Sequence, residues 1–246
     1  MKVIRPRWQV PDNIHAFTTT REGGKSIAPF DSLNLGSHVG DDLACVQANR
    51  VLLTEQMNLP HQPVFLDQTH STKVLRLPCQ AGADLNADAV YTNQANQVCL
   101  VMTADCLPVL FCSQDGTEIA AAHAGWRGLC DGVLEATVAE FECQPEQIQV
   151  WLGPAISQKA FQVGEEVITQ FCAFEPQARD AFIVDPTTSG KFLGDLYKIA
   201  RQRLAKLGVN QVYGGEYCTV TQPELFFSYR RDKQTGRMAT LIWRGA

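Results

Sequence analysis

Much that would assign this chain to a special class is missing from it. No apolar run reaches the ~18 residues of a membrane span, and the opening MKVIRPRWQV lacks the apolar core of a secretory leader. The 21 Lys and Arg are outnumbered by 26 Asp and Glu and are scattered, so no basic stripe exists for a nucleic-acid backbone. Nine cysteines occur, but the count is odd, the spacings are irregular and no CxxC pair is present; neither a disulfide framework nor a zinc ribbon is expected. Five histidines without one His-x-His pair exclude a four-copper oxidase centre. The H-x-E with P-C-x-x-C pattern of nucleobase deaminases is also missing. Repeats and low-complexity tracts are not found. These absences, with 45% hydrophobic and 19% charged residues, leave a globular, cytoplasmic protein with no membrane or obligate protein partner expected. No boundary divides it, so residues 1–246 are expected to be one domain.

Periodicity predicts helices over 46–56, 128–141, 165–174 and 195–207, the last between an N-capping Asp195 and Gly208. Strands are predicted over 64–66, 73–77, 98–103, 107–111, 118–122, 148–152, 211–213, 226–229 and 238–243. The mixture lacks regular βαβ alternation and reads as α+β with mixed sheets. Most cysteines sit in apolar surroundings and read as small core residues. The segment 18–42 is long, polar and aperiodic; Arg21, Asn34 and His38 on it are suited to holding a polar ligand.

Cys106 stands apart from the other cysteines. Asp115-Gly116 between two apolar runs predicts a hairpin whose paired residue numbers sum to 231. His123 then faces Pro108, and Cys106 becomes its diagonal neighbour at ~7–8 Å between Cα atoms. Pro108 tests whether the ladder persists that far. Such a pair can act as a Cys–His dyad, the imidazole lowering the thiol pKa to give a nucleophile. It can equally supply two zinc ligands, and His70, in the polar turn LDQTHST, is the best-placed third. Asp105 beside Cys106 can shuttle a proton or orient a ligand. Gly125 and Arg127, at the start of the 128–141 helix, offer backbone N–H groups and charge to an anion. At the other end, Arg230 and Arg231 follow an apolar strand, so at most one points to a pocket; Arg230 is the candidate.

The segments TADCLPVLF, AAAHAGWRG, WLGPAIS, FFSYRRD and TTREGGKSIAPFDSLNLGSHVGD resemble the YfiH family, which includes the laccase-domain proteins, over nearly the whole chain. The resemblance implies a layered α/β/β/α fold like that of the cytotoxic necrotizing factor deamidases. It also implies a zinc ion held by His70, Cys106 and His123, with copper as a substitute. The implied activity is on purine nucleosides: phosphorolysis of adenosine, inosine or methylthioadenosine, and adenosine deamination, with nucleoside and phosphate as partners. A Cys106–His123 amide hydrolase editing peptidoglycan precursors is the alternative, and a copper-dependent polyphenol oxidase a more distant one. Where the family commonly has Gln-Val-His-Gly, this chain has Gln68-Thr69-His70-Ser71, and Ser71 is expected to alter access to the metal.

Overall fold

The computed structural model describes residues 1–245. Its elements run β1 (Val3–Ile4), β2 (Ile14–Thr19), α1 (Leu43–Gln56), β3 (Val74–Arg76), β4 (Ala89–Thr92), β5 (Val98–Thr103), β6 (Leu107–Ser113) and β7 (Ile119–Ala124). Next come α2 (Trp126–Asp131), α3 (Val133–Val138), β8 (Ile148–Leu152), β9 (Gln162–Val163), α4 (Glu165–Phe174), β10 (Phe182–Val184) and β11 (Phe192–Gly194). The chain closes with α5 (Leu196–Lys206), β12 (Gln211–Gly214), α6 (Tyr229–Asp232) and β13 (Met238–Arg244). A six-stranded mixed sheet has the order β12-β8-β6-β7-β4-β3, and a four-stranded sheet the order β1-β2-β13-β5. A small sheet, β10-β11-β9, flanks them.

Period-two burial sorts these strands into layers. Leu107, Val109 and Phe111 of β6 and Ala120, Ala122 and Ala124 of β7 face the helices, against Leu129, Val133, Leu134, Ile168 and Leu204. Their alternates Leu110, Cys112, Ile119 and Ala121 meet Ala16, Cys99, Val101 and Ile242 of the four-stranded sheet. That sheet's outer face, with Phe17, Leu100, Met102 and Leu241, packs on Leu53 of α1. The layers are therefore α/β/β/α, and the mixed α+β class expected from the sequence is the one found. Cys99, Cys112 and Cys130 are buried core residues; Cys172 is half-buried.

The 231 register holds: Pro108 faces His123, and Cys112 faces Ile119. The turn is longer than two residues, because Ser113, not Gln114, is the last to pair, its N–H donating to Glu118 O. Pro108 is tolerated because the inner groups of this pair point away from each other. The His123 N–H donates to Asp88 O (2.7 Å) on the β4 side, and Pro108 O accepts from Gly153 N–H (2.9 Å) toward β8.

Three expectations fail. The 128–141 helix is broken at Gly132, whose φ of 107° only glycine adopts freely, into α2 and α3. The segment 226–229 is not a strand: Ser228 caps α6, its Oγ accepting the Arg231 N–H at 3.2 Å. Residues 64–66 form no ladder, and only Asp67 makes a bridge, to Asn86. Apolar content at these places serves packing rather than pairing.

A buried carboxylate locks the helical layer to the sheet. Glu118 accepts from Tyr91 Oη (2.6 Å) and from the N–H groups of Glu142 (2.7 Å) and Cys143 (3.1 Å). Glu118→Ala leaves three donors unpaired, and a loss of about 2–4 kcal/mol in urea unfolding is expected; a loss within error would show that water replaces the carboxylate.

Candidate active site

Thr103, at the end of β5, and Leu107, at the start of β6, are joined by only Ala104, Asp105 and Cys106, so the chain crosses there from one sheet to the other. The sheets part at this point. The parity that sends Leu110 and Ala121 between the sheets sends Cys106 and His123 there too. Asp88 extends the β4–β7 register to face His123, and β4's parity puts it on the same side.

Asp88, fully buried, organises the group. Its Oδ1 accepts from His123 Nδ1–H (2.8 Å) and from the His70 N–H (3.0 Å). Its Oδ2 accepts from the N–H groups of Thr69 (3.1 Å) and Ser71 (2.6 Å) and from Ser71 Oγ (2.8 Å). One carboxylate thus fixes the tautomer of His123, leaving Nε2 free, and pins the loop that carries His70. Burial raises the pKa of Asp88, but the hydrogen bonds from His123 and Ser71 outweigh it and hold the carboxyl near 2. The Ser71 hydroxyl, expected to alter access to a metal, is instead turned onto this carboxylate.

The three side chains named from the sequence come together. The ligand atoms of His70, Cys106 and His123 all lie within 4.8 Å of one another, and Cys106 Sγ is 3.9 Å from His70 Nε2. The two imidazole rings stand 4.9 Å apart at 65°. Two backbone residues here are in the left-handed region, His70 (φ 63°) and Asp105 (φ 90°), a conformation that non-glycine residues hold only when the surroundings enforce it. Burial by itself raises the Cys106 thiol, but the charge and hydrogen bond of His123, with His70, bring it down to about 6. Burial likewise opposes charging of His123, while the Cys106 thiolate and Asp88 raise it to about 9. Without a metal, these directions favour a Cys106 thiolate beside a charged His123.

This donor set fits zinc. Tetrahedral zinc sets its sulfur and nitrogen ligands about 3.5 Å apart, close to the present spacing, and N/S donors are its usual partners. His70 is exposed and Cys106 half-buried, so the group opens on one side. Gly125 provides the clearance: a Cβ there would lie 2.6 Å from His70 Cδ2 and 3.1 Å from Cys106 Sγ.

The open side faces a cleft of about 380 Å³. Trp126, Phe161 and Tyr229 supply aromatic surface, and Arg127, Arg230, Arg237, His38 and Gln68 supply polar groups. Arg127 lies over Trp126 at 4.4 Å. Arg230 lies over Phe161 at 5.6 Å, and its Nη1 donates to Gln162 O (3.0 Å). Arg231 folds back on the carbonyls of Thr219 and Phe226, so one arginine of the pair reaches the cleft, through helical rather than strand geometry. Asp105 lines the cleft with both oxygens engaged, Oδ1 by Thr219 Oγ1 (2.6 Å) and Oδ2 by the Arg230 N–H (2.6 Å).

Two expected ligand-binding residues are elsewhere. Arg21 donates to Asp31 O (2.9 Å) and Pro223 O (3.2 Å) and covers the Phe227 ring. Asn34 is fully buried and bonds within its own loop and to Arg237 N–H. Helix α2 is six residues long, too short for a developed dipole, and Gly125 packs against His70 and Cys106 instead of forming the expected anion site. Asp88, Arg237 and Gln68 were missed. Only Asp88 left a usable signal, a lone acidic residue directly before the short apolar run Ala89–Tyr91.

A metal-ready His–Cys–His group where two stacked sheets part is what the fold defines. The chain belongs to the family described as multi-copper polyphenol oxidoreductase laccase, whose model matches residues 15–245. It is 60% identical over 243 residues to a purine nucleoside phosphorylase of Haemophilus influenzae, covering 99% of each chain. It is 54% identical over 242 residues to the purine nucleoside phosphorylase YfiH of Escherichia coli, covering 98% of each. Among solved structures, the Neisseria meningitidis protein NMB0706 superposes with a TM-score of 0.95 at 48% identity, over all of both chains.

Because Asp88 orients His123 and anchors the His70 loop, Asp88→Asn is expected to weaken zinc binding about 10–100-fold in a competitive chelator titration. Unchanged affinity would show that the ligands are ordered without it.

Proposed function

We propose that this chain is a zinc-dependent purine nucleoside enzyme that carries out phosphorolysis of adenosine, inosine or methylthioadenosine, and adenosine deamination. The single observation that carries this reading is the His70–Cys106–His123 group opening on an aromatic, cationic cleft. The names of the full-length relatives support the nucleoside. His70, Cys106 and His123 would hold zinc, which when bound supplies Lewis acidity. Copper would occupy the same donors in its place.

The chain's own residues do the rest. Trp126, Phe161 and Tyr229 offer faces on which a purine stacks. Asp88 keeps the His123 ring in one orientation, and the elements around it exclude water from that side. Asp105 acts as a positioning residue: its two oxygens accept from Thr219 Oγ1 and the Arg230 N–H and so brace the 105–106 backbone against the start of α6. Arg127 and Arg230 carry positive charge at the cleft without a carboxylate partner among the described residues.

A second reading, amide hydrolysis by a Cys106–His123 dyad acting on peptidoglycan precursors, is favoured by the thiol held down to about 6. Metal content separates the two, since stoichiometric zinc on Cys106 occupies the nucleophile. Laccase chemistry is not favoured: five histidines and one His/Cys cluster among the described residues cannot ligate several coppers.

Metal-analysed protein incubated with phosphate and adenosine, inosine or methylthioadenosine is expected to release free purine, and adenosine alone to yield inosine. Cys106→Ala is expected to lose zinc and at least about 100-fold in kcat/KM. Activity unchanged by the substitution would contradict both the zinc reading and the nucleophile reading.

A further inference from the structure

The polar N-terminal segment builds one wall of the cleft, although Arg21 and Asn34 do not reach it. Asn34 Oδ1 accepts the N–H groups of Gly36 and Arg237, each at 2.9 Å, and its Nδ2 donates to the Asp41 carboxylate (2.9 Å). The loop lies so close to the Arg237 stem that a Cβ on Gly36 would stand 2.8 Å from Arg237 Cγ. The guanidinium is thereby held at the cleft. Its Nη1 donates to the carbonyls of Thr235 (3.0 Å) and Gly236 (3.1 Å), and no carboxylate of the described residues pairs with it. Burial lowers its pKa, and the negative groups of Cys106 and Asp105 in the same cleft offset this only in part. His38, on the same segment, lines the same cleft.

A second, independent polar group lines the same cleft. Thr103 faces Met238, the sequence neighbour of Arg237, in the β5–β13 ladder. It is 1% exposed and lines the cleft, and its Oγ1 has no hydrogen-bond partner. Buried hydroxyls without partners are rare, and one at a cleft wall points to a ligand atom. A tetrahedral oxyanion answers both needs: it accepts from a guanidinium fork and from a hydroxyl at once.

We propose that Arg237, Thr103 and His38 form the phosphate subsite of this cleft, seated by the Asn34 loop. The assignment rests on the phosphorolysis reading above and locates its second substrate. Phosphate held there would form a bond from one oxygen to the ribose carbon while the bond from that carbon to the purine nitrogen breaks. The electron pair leaves with the purine, which takes the proton of hydrogen phosphate, giving ribose 1-phosphate and free base.

The test uses zinc-loaded full-length protein and inorganic phosphate, with sodium chloride at matched ionic strength as control. Arg237→Gln is expected to raise the phosphate KM about tenfold or more, with zinc content intact and the nucleoside KM within about twofold. Thr103→Val, isosteric and free of folding risk, is expected to raise it about fivefold. Both are expected to reduce the upward shift in melting temperature that phosphate gives the wild type without nucleoside. Phosphate KM and melting shift unchanged in both variants would overturn the subsite. If no nucleoside is phosphorolysed, the function reading falls, and the melting shift still decides the subsite: a smaller shift in both variants supports it, and no shift in the wild type overturns it.

Discussion

The buried carboxylate of Asp88 is the constraint on which the site depends. It receives five hydrogen bonds, one from the His123 ring and the rest from residues 69–71. Without it, an exposed loop with His70 at φ 63° would have no reason to keep that conformation, and the His123 ring would have no fixed tautomer. The layered core supplies the rest of the rigidity. Asp88 and His123 are cross-strand partners inside a six-stranded sheet covered on both faces, so their geometry is inherited from the ladder rather than from flexible segments.

What was legible in the sequence follows the same physics. Cys106 and His123 could be joined because a short hairpin fixes register locally, and the predicted pairing of His123 with Pro108 is the pairing found. The turn itself was read too tightly, yet the longer loop is symmetric and preserves the sum. The helices over 165–174 and 195–207 were legible from their apolar stripes, the second also from its caps, and α5 starts where Asp195 caps it. His70 emerged from elimination and family resemblance, since nothing local ties its loop to β7; the tie is Asp88, eighteen residues further on. Gly132 hid the break between α2 and α3, because a glycine inside an apolar stripe leaves the periodicity intact.

Long-range assembly explains the residues that were misplaced or missed. Arg21 and Asn34 were chosen because polar loops often hold ligands. The structure spends them on their own loop, and Asn34 on the Arg237 backbone, 203 residues away in sequence. Arg237 carried no signal of its own, being one of many scattered arginines, and the β5–β13 pairing brings its neighbour Met238 opposite Thr103 at the same cleft. The site is thus a meeting of distant segments: the N-terminal loop, the 68–71 turn, the sheet crossing at 103–106, the end of β7 and start of α2 at 123–127, Phe161, and the C-terminal end at 229–237. The family description as a laccase gains no support from this meeting, whose ligands suffice for one metal ion.

On the proposed reading, His70, Cys106 and His123 together hold one zinc ion. X-ray absorption at the zinc edge of the purified protein tests it most directly. One sulfur neighbour at about 2.3 Å with two imidazole nitrogens at about 2.0–2.1 Å is the expected result. A zinc shell without sulfur, or protein that takes up no zinc while Cys106 stays freely alkylated, would contradict it.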